Sequence, residues 1–448
     1  MNARVLDIFI NDQRVGQLVE QNNLWSFEYA QDWINSPEAF DLSPALSRTQ
    51  LLHQDGATNR PVQWYFDNLL PEENMRTILA REAKLPSEDA FGLLAYFGRE
   101  SAGSLVLMLP EDVTPQEQGL VPLSFSELSD RITNLPHASI SQNSPKKMSL
   151  AGAQHKLLVV LQGEALFEPL ARTPSTHILK PNHQDPAYSA TVMNEYFTMK
   201  LARALGLDVP NVYRLYVPQP VYVIERFDRV ISPSIQMKRL HIIDSCQLLN
   251  KSREFKYYGA NLNALAQAIN QCRNKAVARL AIYRWLVFNL LVGNGDNHLK
   301  NLSFLVDASG INIAKAYDLL STAVYDTRTF SNEKATWPNT ALALQIGNAK
   351  TFSAVTREDV LGAGMALGLS RQTAERELDR QLVELVPVAD GLIEEIESSF
   401  KKFELEYPDE PSVATTLASE RQVLRAIRHA ILVEMVEQLR NKKITECG

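Results

Sequence analysis

The chain is 448 residues long, about three domains at a prior of ~150 residues each. It is 45% hydrophobic and 22% charged, which excludes wholesale disorder, and its net charge of −7 disfavours non-specific nucleic-acid binding by the whole surface. The three cysteines, Cys246, Cys272 and Cys447, stand far apart with no CxxC pair, which suits a reducing compartment and excludes a disulfide framework or a cysteine-rich zinc site.

The first residues carry no basic stretch followed by an apolar one, so no secretory signal is expected. The most apolar run, Trp285–Val292, is interrupted by Asn289 and falls far short of the ~20 residues of a spanning helix. A soluble cytoplasmic protein with no membrane partner is the expectation.

Residues 1–110 read mainly as strands and turns. Val5–Ile10 and Val15–Val19 flank Asn11-Asp12, a hairpin pattern, and the period-two run Leu24–Tyr29 puts Trp25, Phe27 and Tyr29 on one face. Trp64, Tyr65 and Phe66 precede a polar break, Glu72–Leu85 has helical spacing, and Gly98–Gly103 turns into a strand over Ser104–Leu109. Glu111–Gly119 is the best boundary, and Ser124-Phe-Ser-Glu127 is a capping box opening a short helix. Strands follow at Lys156–Leu161 and Thr176–Lys180, then a helix over Ala190–Leu205 stopped by Gly206, then a strand pair at Val212–Tyr216 and Pro220–Ile224. Beyond about residue 230 the pattern turns helical, with Leu262–Ile269 and Val277–Val292, and one β interlude, Leu302–Val306 and Ile311–Ala314. Arg357–Leu367, Arg371–Phe400 and Ser412–Asn441 are long amphipathic stretches.

The strongest chemical signal is Gly293-Asn-Gly-Asp296-Asn-His298-Leu-Lys300-Asn301, followed by the hairpin and then Tyr317-Asp318. Phosphoryl transfer from a nucleotide needs a carboxylate at the attacking hydroxyl, an oxygen ligand for Mg²⁺ a few residues on, and a second carboxylate at the metal. Protein kinases place an Asp and an Asn five residues apart, then a strand-turn-strand and a metal-binding Asp. Asp296, Asn301 and Asp318 stand in that relation. Turn chemistry after a buried helix would account for any one element, but not for the order, the spacing and the hairpin together. Oxygen ligands without clustered Cys or His suit Mg²⁺ rather than zinc.

Upstream, Lys180 ends a strand where the α- and β-phosphates need a cation, and Glu195 on the next helix is a candidate partner for it. The strand Val221–Ile224 runs into Glu225-Arg226-Phe227-Asp228, where a hinge would offer the Glu225 carbonyl and the Phe227 N–H to adenine. No GxGxxG or GxxxxGK[ST] occurs, which disfavours a Walker-type NTPase. The candidate phosphate loop is Ser149-Leu-Ala151-Gly152-Ala153-Gln154-His155-Lys156, whose small residues let backbone N–H groups approach phosphate oxygens. His298 could contact phosphate or support its own loop, and Lys300 beside it is a further candidate nucleotide contact.

In these motifs, and in Phe66–Pro71, Gly98–Gly103, Asn194-Glu195-Tyr196 and Glu225–Arg229, the chain resembles over nearly its whole length the HipA family, the serine/threonine-protein kinase toxins of bacterial toxin–antitoxin modules. His155 departs from the acidic residue usual before the Lys of that family's phosphate loop. The resemblance implies an α+β, two-lobed fold, protein-kinase-like and phosphoinositide-kinase-like. Its parts would be a β-rich N-terminal subdomain over 1–110, an N-lobe over 111–228 and a helical C-lobe over 229–448. It implies Asp296 as catalytic base, Asn301 and Asp318 as Mg²⁺ ligands, and Lys180, Glu225 and Phe227 at ATP. Ser149 matches the serine that family members autophosphorylate to eject the phosphate loop. The implied partners are a HipB-like helix-turn-helix antitoxin, operator DNA mainly through that antitoxin, and a protein substrate of the aminoacyl-tRNA synthetase class, with growth arrest as the outcome.

Two other readings fit the same motifs. A lipid or small-molecule kinase shares the catalytic plan, although a charge of −7 without a polybasic run argues against a lipid surface. The chain could alternatively act mainly as a co-repressor bridging antitoxin and operator DNA, with Arg371, Arg376 and Arg380 as a basic edge interrupted by Glu375, Glu377 and Asp379.

Overall fold

The computed structural model describes residues 3–112, 118–135, 139–141, 144–145, 154–170, 173–231, 237–406 and 411–440. The chain divides into two compact units, neither of them continuous in sequence. The first comprises Met1–Pro181, Val223–Tyr258 and Leu302–Ala314, and the second Asn182–Tyr222, Gly259–Asn301 and Lys315–Gly448.

The first unit begins with an antiparallel sheet in the order Leu52–Gln54, Leu24–Tyr29, Gln13–Gln21, Arg4–Ile10, Leu105–Met108. Its two hairpin turns hold Asn11, Asp12, Asn22 and Asn23 at positive φ, the backbone that two-residue hairpins require and that Asn and Asp tolerate. Trp25, Phe27 and Tyr29 share the buried face, as the period-two pattern predicts. Two helices, Pro61–Asp67 and Ala90–Phe97, interrupt what the sequence suggests is mostly strand and turn. The reason for the first is local: Pro61 stands at its first turn, and the Asp55 carboxylate accepts from Val62 N at 2.9 Å and Gln63 N at 3.1 Å. Asp89 caps the second, accepting from Gly92 N at 3.0 Å.

The same unit holds a second sheet containing His177–Pro181, Leu157–Gln162, Ala165–Pro169 and Leu120–Leu123 in that order. The strand Pro220–Glu225 ends in this unit, and just past it Arg226 N donates to Thr176 O at 2.8 Å. Past residue 228 three strands precede any long helix: Arg229–Ile231, Met237–Arg239 and His241–Asp244. The last pairs antiparallel with Ser303–Asp307, which pairs in turn with Gly310–Ile313. A strand whose partner lies so far downstream gives no hairpin signal in sequence.

The second unit is helical apart from the strand Val212–Tyr216, the start of Pro220–Glu225 and a hairpin, Ala341–Ile346 with Ala349–Thr351. Helix Thr191–Ala204 packs on Arg371–Glu406 and Pro411–Ala426. Helix Lys275–Leu291 packs on Leu262–Gln271, Arg357–Ala366 and Arg371–Glu406, and buries Ile282, Tyr283 and every residue from Trp285 to Leu291. Asn274 caps its start, accepting from Val277 N at 3.2 Å. Pro387 lies inside Arg371–Glu406; it removes one backbone donor and leaves the Val383 carbonyl, on a residue exposed to water, without that bond. Ile427–Leu432 forms a π-helical turn whose Ala430 carbonyl accepts from Trp337 Nε1 at 2.9 Å. No helix among the described residues is long and apolar enough to cross a membrane.

Candidate functional site

In the second unit the candidate catalytic loop grows directly out of the buried helix Lys275–Leu291. Asn289 and Asn294 act as a splice: Asn289 Nδ2 donates to Trp285 O at 2.7 Å, and Asn294 Nδ2 donates to Asn289 Oδ1 at 2.7 Å. Asn294 Oδ1 then accepts from Asp296 N at 3.0 Å, an Asx turn that sets the next peptide. Gly293 has φ +65°, and a Cβ there would stand 2.9 Å from Ile431 Cγ2 and 3.2 Å from Ala323 Cβ, so the turn admits only glycine. Gly295 N donates to Thr322 Oγ1 at 2.6 Å and Ala323 N to Gly293 O at 2.9 Å, which tie the loop to the segment after Asp318.

The loop buries most of its side chains but not that of Asp296. Asn297, His298, Lys300 and Asn301 are buried, whereas the Asp296 side chain is 44% exposed. Asn301 Nδ2 donates to Asp296 O at 2.9 Å, which commits the NH₂ end of that amide and fixes Oδ1 as its acceptor end. His298 Nε2 lies 3.8 Å from Asp296 Oδ1, too long for a hydrogen bond. Tyr317 Oη donates to Lys300 O at 2.8 Å and so joins the loop to the residue before Asp318.

Asp318 itself sits at φ +57°, an uncommon conformation for a residue with a side chain and one that recurs at functional sites. Three residues on, Asn194 of helix Thr191–Ala204 clamps the backbone: its Nδ2 donates to Ser321 O and its Oδ1 accepts from Ser321 N, both at 2.8 Å. The fully buried Tyr222 hydroxyl is pushed well above its ordinary pKa by burial and by the Glu195 and Asp318 carboxylates. The second unit thus holds Asp296, His298, Lys300, Asn301 and Tyr317 in one hydrogen-bonded stretch, with Asp318 directly following Tyr317.

The first unit holds the other candidate nucleotide-binding positions. Lys180 is buried in His177–Pro181, and Lys156 immediately precedes Leu157–Gln162. The antiparallel register pairs Leu157 with Leu179, so Lys156 and Lys180 stand at the same end of adjacent strands. Burial lowers the His177 pKa, against the opposing pull of Glu225. Glu225 ends its strand and Phe227 begins a turn, with Arg226 buried between them. Gln154 is half-buried, whereas Ser149, Ala151, Gly152 and Ala153 lie outside the described residues. No group of three His, Cys, Asp or Glu side chains suited to a metal ion occurs among the described residues. A metal shared with triphosphate does not need one, because Mg²⁺ keeps waters and takes only one or two carboxylates.

Sequence reading assigned no role to Asn194, Thr322, Tyr317 or Tyr222. For Asn194 a signal existed, since an amide among Val192, Met193, Phe197 and Leu201 is a polar group on a helix buried nearly all round and must have a partner.

Comparison with known proteins places the chain in one family. Residues 6–108 match the HipA N-terminal domain, and residues 148–388 match the HipA-like C-terminal domain. The serine/threonine-protein kinase toxin HipA of Shewanella oneidensis is 31% identical over 341 residues, 72% of this chain and 76% of that protein. A chain of the solved Shewanella oneidensis assembly of HipA, HipB and operator DNA superposes with a TM-score of 0.74 at 26% identity, covering 96% of this chain and 99% of that one. The likeness extends to the two-lobed, kinase-like fold with its β-rich N-terminal part, and supports in general terms a toxin-kinase type of function. The chain belongs to the HipA family.

Proposed function

We propose that the protein is an ATP- and Mg²⁺-dependent serine/threonine protein kinase of the toxin type. The observation that carries this reading is the Asp296–Asn301 loop: an exposed carboxylate on an otherwise buried turn, its own carbonyl holding the Asn301 amide. Asp296 accepts the proton of the attacking hydroxyl while the bond from the γ-phosphorus to the β–γ bridging oxygen breaks and the new bond to the hydroxyl oxygen forms. Asn301 Oδ1 and Asp318 would hold Mg²⁺, which when bound supplies charge neutralisation at the phosphate oxygens. Lys156 and Lys180, at the same end of adjacent strands, would bind the phosphates. Ala151, Gly152, Ala153, Gln154, His298 and Lys300 are the remaining proposed nucleotide-binding residues, and Glu225 and Phe227 would receive adenine through the backbone.

Replacing Asp296 by Asn removes the base at constant size. Phosphate transfer from labelled ATP should fall by about 10²–10⁴-fold, and undiminished transfer would overturn the assignment. Ser149 is the proposed autophosphorylation site. The proposed cytoplasmic setting includes a HipB-like antitoxin encoded beside this chain, operator DNA reached mainly through it, and an aminoacyl-tRNA synthetase as substrate. Co-purification with the product of the adjacent reading frame, and labelling of a synthetase in extract, test those assignments.

A further inference from the structure

The segment Glu225–Arg229 is fixed by a buried charge cluster within the first unit. Arg226 presents a fork to Asp228, Nε to Oδ1 at 3.0 Å and Nη2 to Oδ2 at 2.7 Å. Its Nη2 also donates to Ser101 O at 2.9 Å, and its Nη1 to Ser175 Oγ at 3.1 Å and Glu100 Oε1 at 3.2 Å. Glu100, with no exposed surface, takes two more arginines: Arg229 Nη2 on Oε1 at 2.9 Å and Arg239 Nη2 on Oε2 at 2.7 Å. Gly103 N donates to Asp228 Oδ2 at 2.7 Å, and Gly103 O accepts from Arg229 Nη1 at 2.8 Å. Burial alone would raise the Asp228 carboxyl; Arg226 and Arg229 override it and hold it at about 2.

Such a cluster is a poor way to gain stability, because apolar residues of equal volume do as well once both charges are removed. What it supplies is fixed geometry, and what it fixes is the backbone on both sides of Arg226. Arg226 N is bonded to Thr176 O, and alternation along an extended strand turns the Glu225 carbonyl to the opposite edge. We propose that Glu100 and Arg226 are positioning residues for the nucleotide base, holding the Glu225 carbonyl and the Phe227 N–H at the spacing an adenine edge requires. The inference rests on the kinase reading and extends it: Glu100, from the segment that matches the HipA N-terminal domain, sets base recognition without touching the base.

The test uses the full chain with Arg226→Lys, which keeps the charge but loses the fork, and with the isosteric Glu100→Gln. Affinities for Mg·ADP and Mg·GDP are measured by calorimetry, together with KM and kcat for ATP. The expected result is about tenfold weaker ADP binding with GDP binding within twofold, and a tenfold higher KM at unchanged kcat. A mere folding defect would instead lower the active fraction, reducing kcat and affecting both nucleotides alike. Unchanged ADP affinity, or equal weakening of ADP and GDP, overturns the inference. Should both variants fail to fold, Ser175→Ala removes the hydroxyl joining Arg226 to Glu100, and an unaltered ADP-to-GDP preference there overturns it as well. A parent protein that binds neither nucleotide overturns the kinase reading itself, whereas a parent that binds ADP beside unaffected variants overturns only the positioning role.

Discussion

Asn194 and Gly293 show how single residues hold the loop that carries Asp296 and the segment that carries Asp318. Asn194→Leu keeps volume but leaves Ser321 N–H and C=O buried without their partner, at about 1–3 kcal/mol for each unsatisfied group. Because Ser321 lies three residues after Asp318, the variant should also need several-fold more Mg²⁺ for half-maximal phosphate transfer. An unchanged Mg²⁺ requirement would separate the clamp from the metal side of the site. Gly293→Ala forces a side chain into left-handed backbone against Ile431, and a loss of ~1–3 kcal/mol is expected in chemical denaturation. These two residues differ in legibility. The turn at Gly293 belongs to a visible motif, whereas the partner of Asn194 lies 127 residues away and no local pattern names it.

Elements were legible in proportion to how locally they are determined. The hairpin at Asn11-Asp12, the alternating Leu24–Tyr29 strand and the buried helix Lys275–Leu291 follow from turn chemistry and periodicity, and all three stand near their expected bounds. Helix Pro61–Asp67 was hidden because its aromatic run reads equally as strand, and its start depends on Asp55, six residues before Pro61. His241–Asp244 was hidden because its partner strand starts 59 residues after it ends, at Ser303. That strand carries a pH-dependent element as well. His241 is buried against Tyr65, Ser104 and Leu42, and burial lowers its pKa from 6.5 to about 4 despite the Leu42 carbonyl. The unfolded chain therefore binds a proton between pH 6.5 and 4 that the folded chain refuses. Stability from this site is complete above 6.5 and lost as pH falls through 4, by up to ~3 kcal/mol. Asp55, raised by burial to about 6, works in the opposite sense over nearly the same range. Comparison of His241→Gln with the parent isolates the histidine: the variant should be less stable at pH 7 and lose less on going to pH 4.5.

At the scale of the whole molecule, the segment over 1–110 is no detachable appendage. Glu100, Ser101 and Gly103 are integral to the cluster around Arg226, and Lys256 joins Glu72 while Asn68 Nδ2 donates to Lys251 O at 3.0 Å. A chain beginning at residue 111 is expected to be insoluble or molten. Supplying 1–110 as a separate polypeptide should recover soluble material, and a soluble, cooperatively unfolding 111–448 fragment would contradict this.

The interleaving of the two units also bears on how the protein is made. The first unit takes in Leu302–Ala314, so a nascent chain cannot complete it until about seventy per cent of the polypeptide has left the ribosome. Until Ser303–Asp307 emerges, His241–Asp244 is an unpaired edge. The residues after Lys315 that complete the second unit, Asp318 among them, come later still. Synthesis thus delivers Asp318, the proposed metal-side carboxylate, only after the candidate catalytic loop, and on the proposed reading an aborted chain ending before it would be an inert product rather than a half-active one.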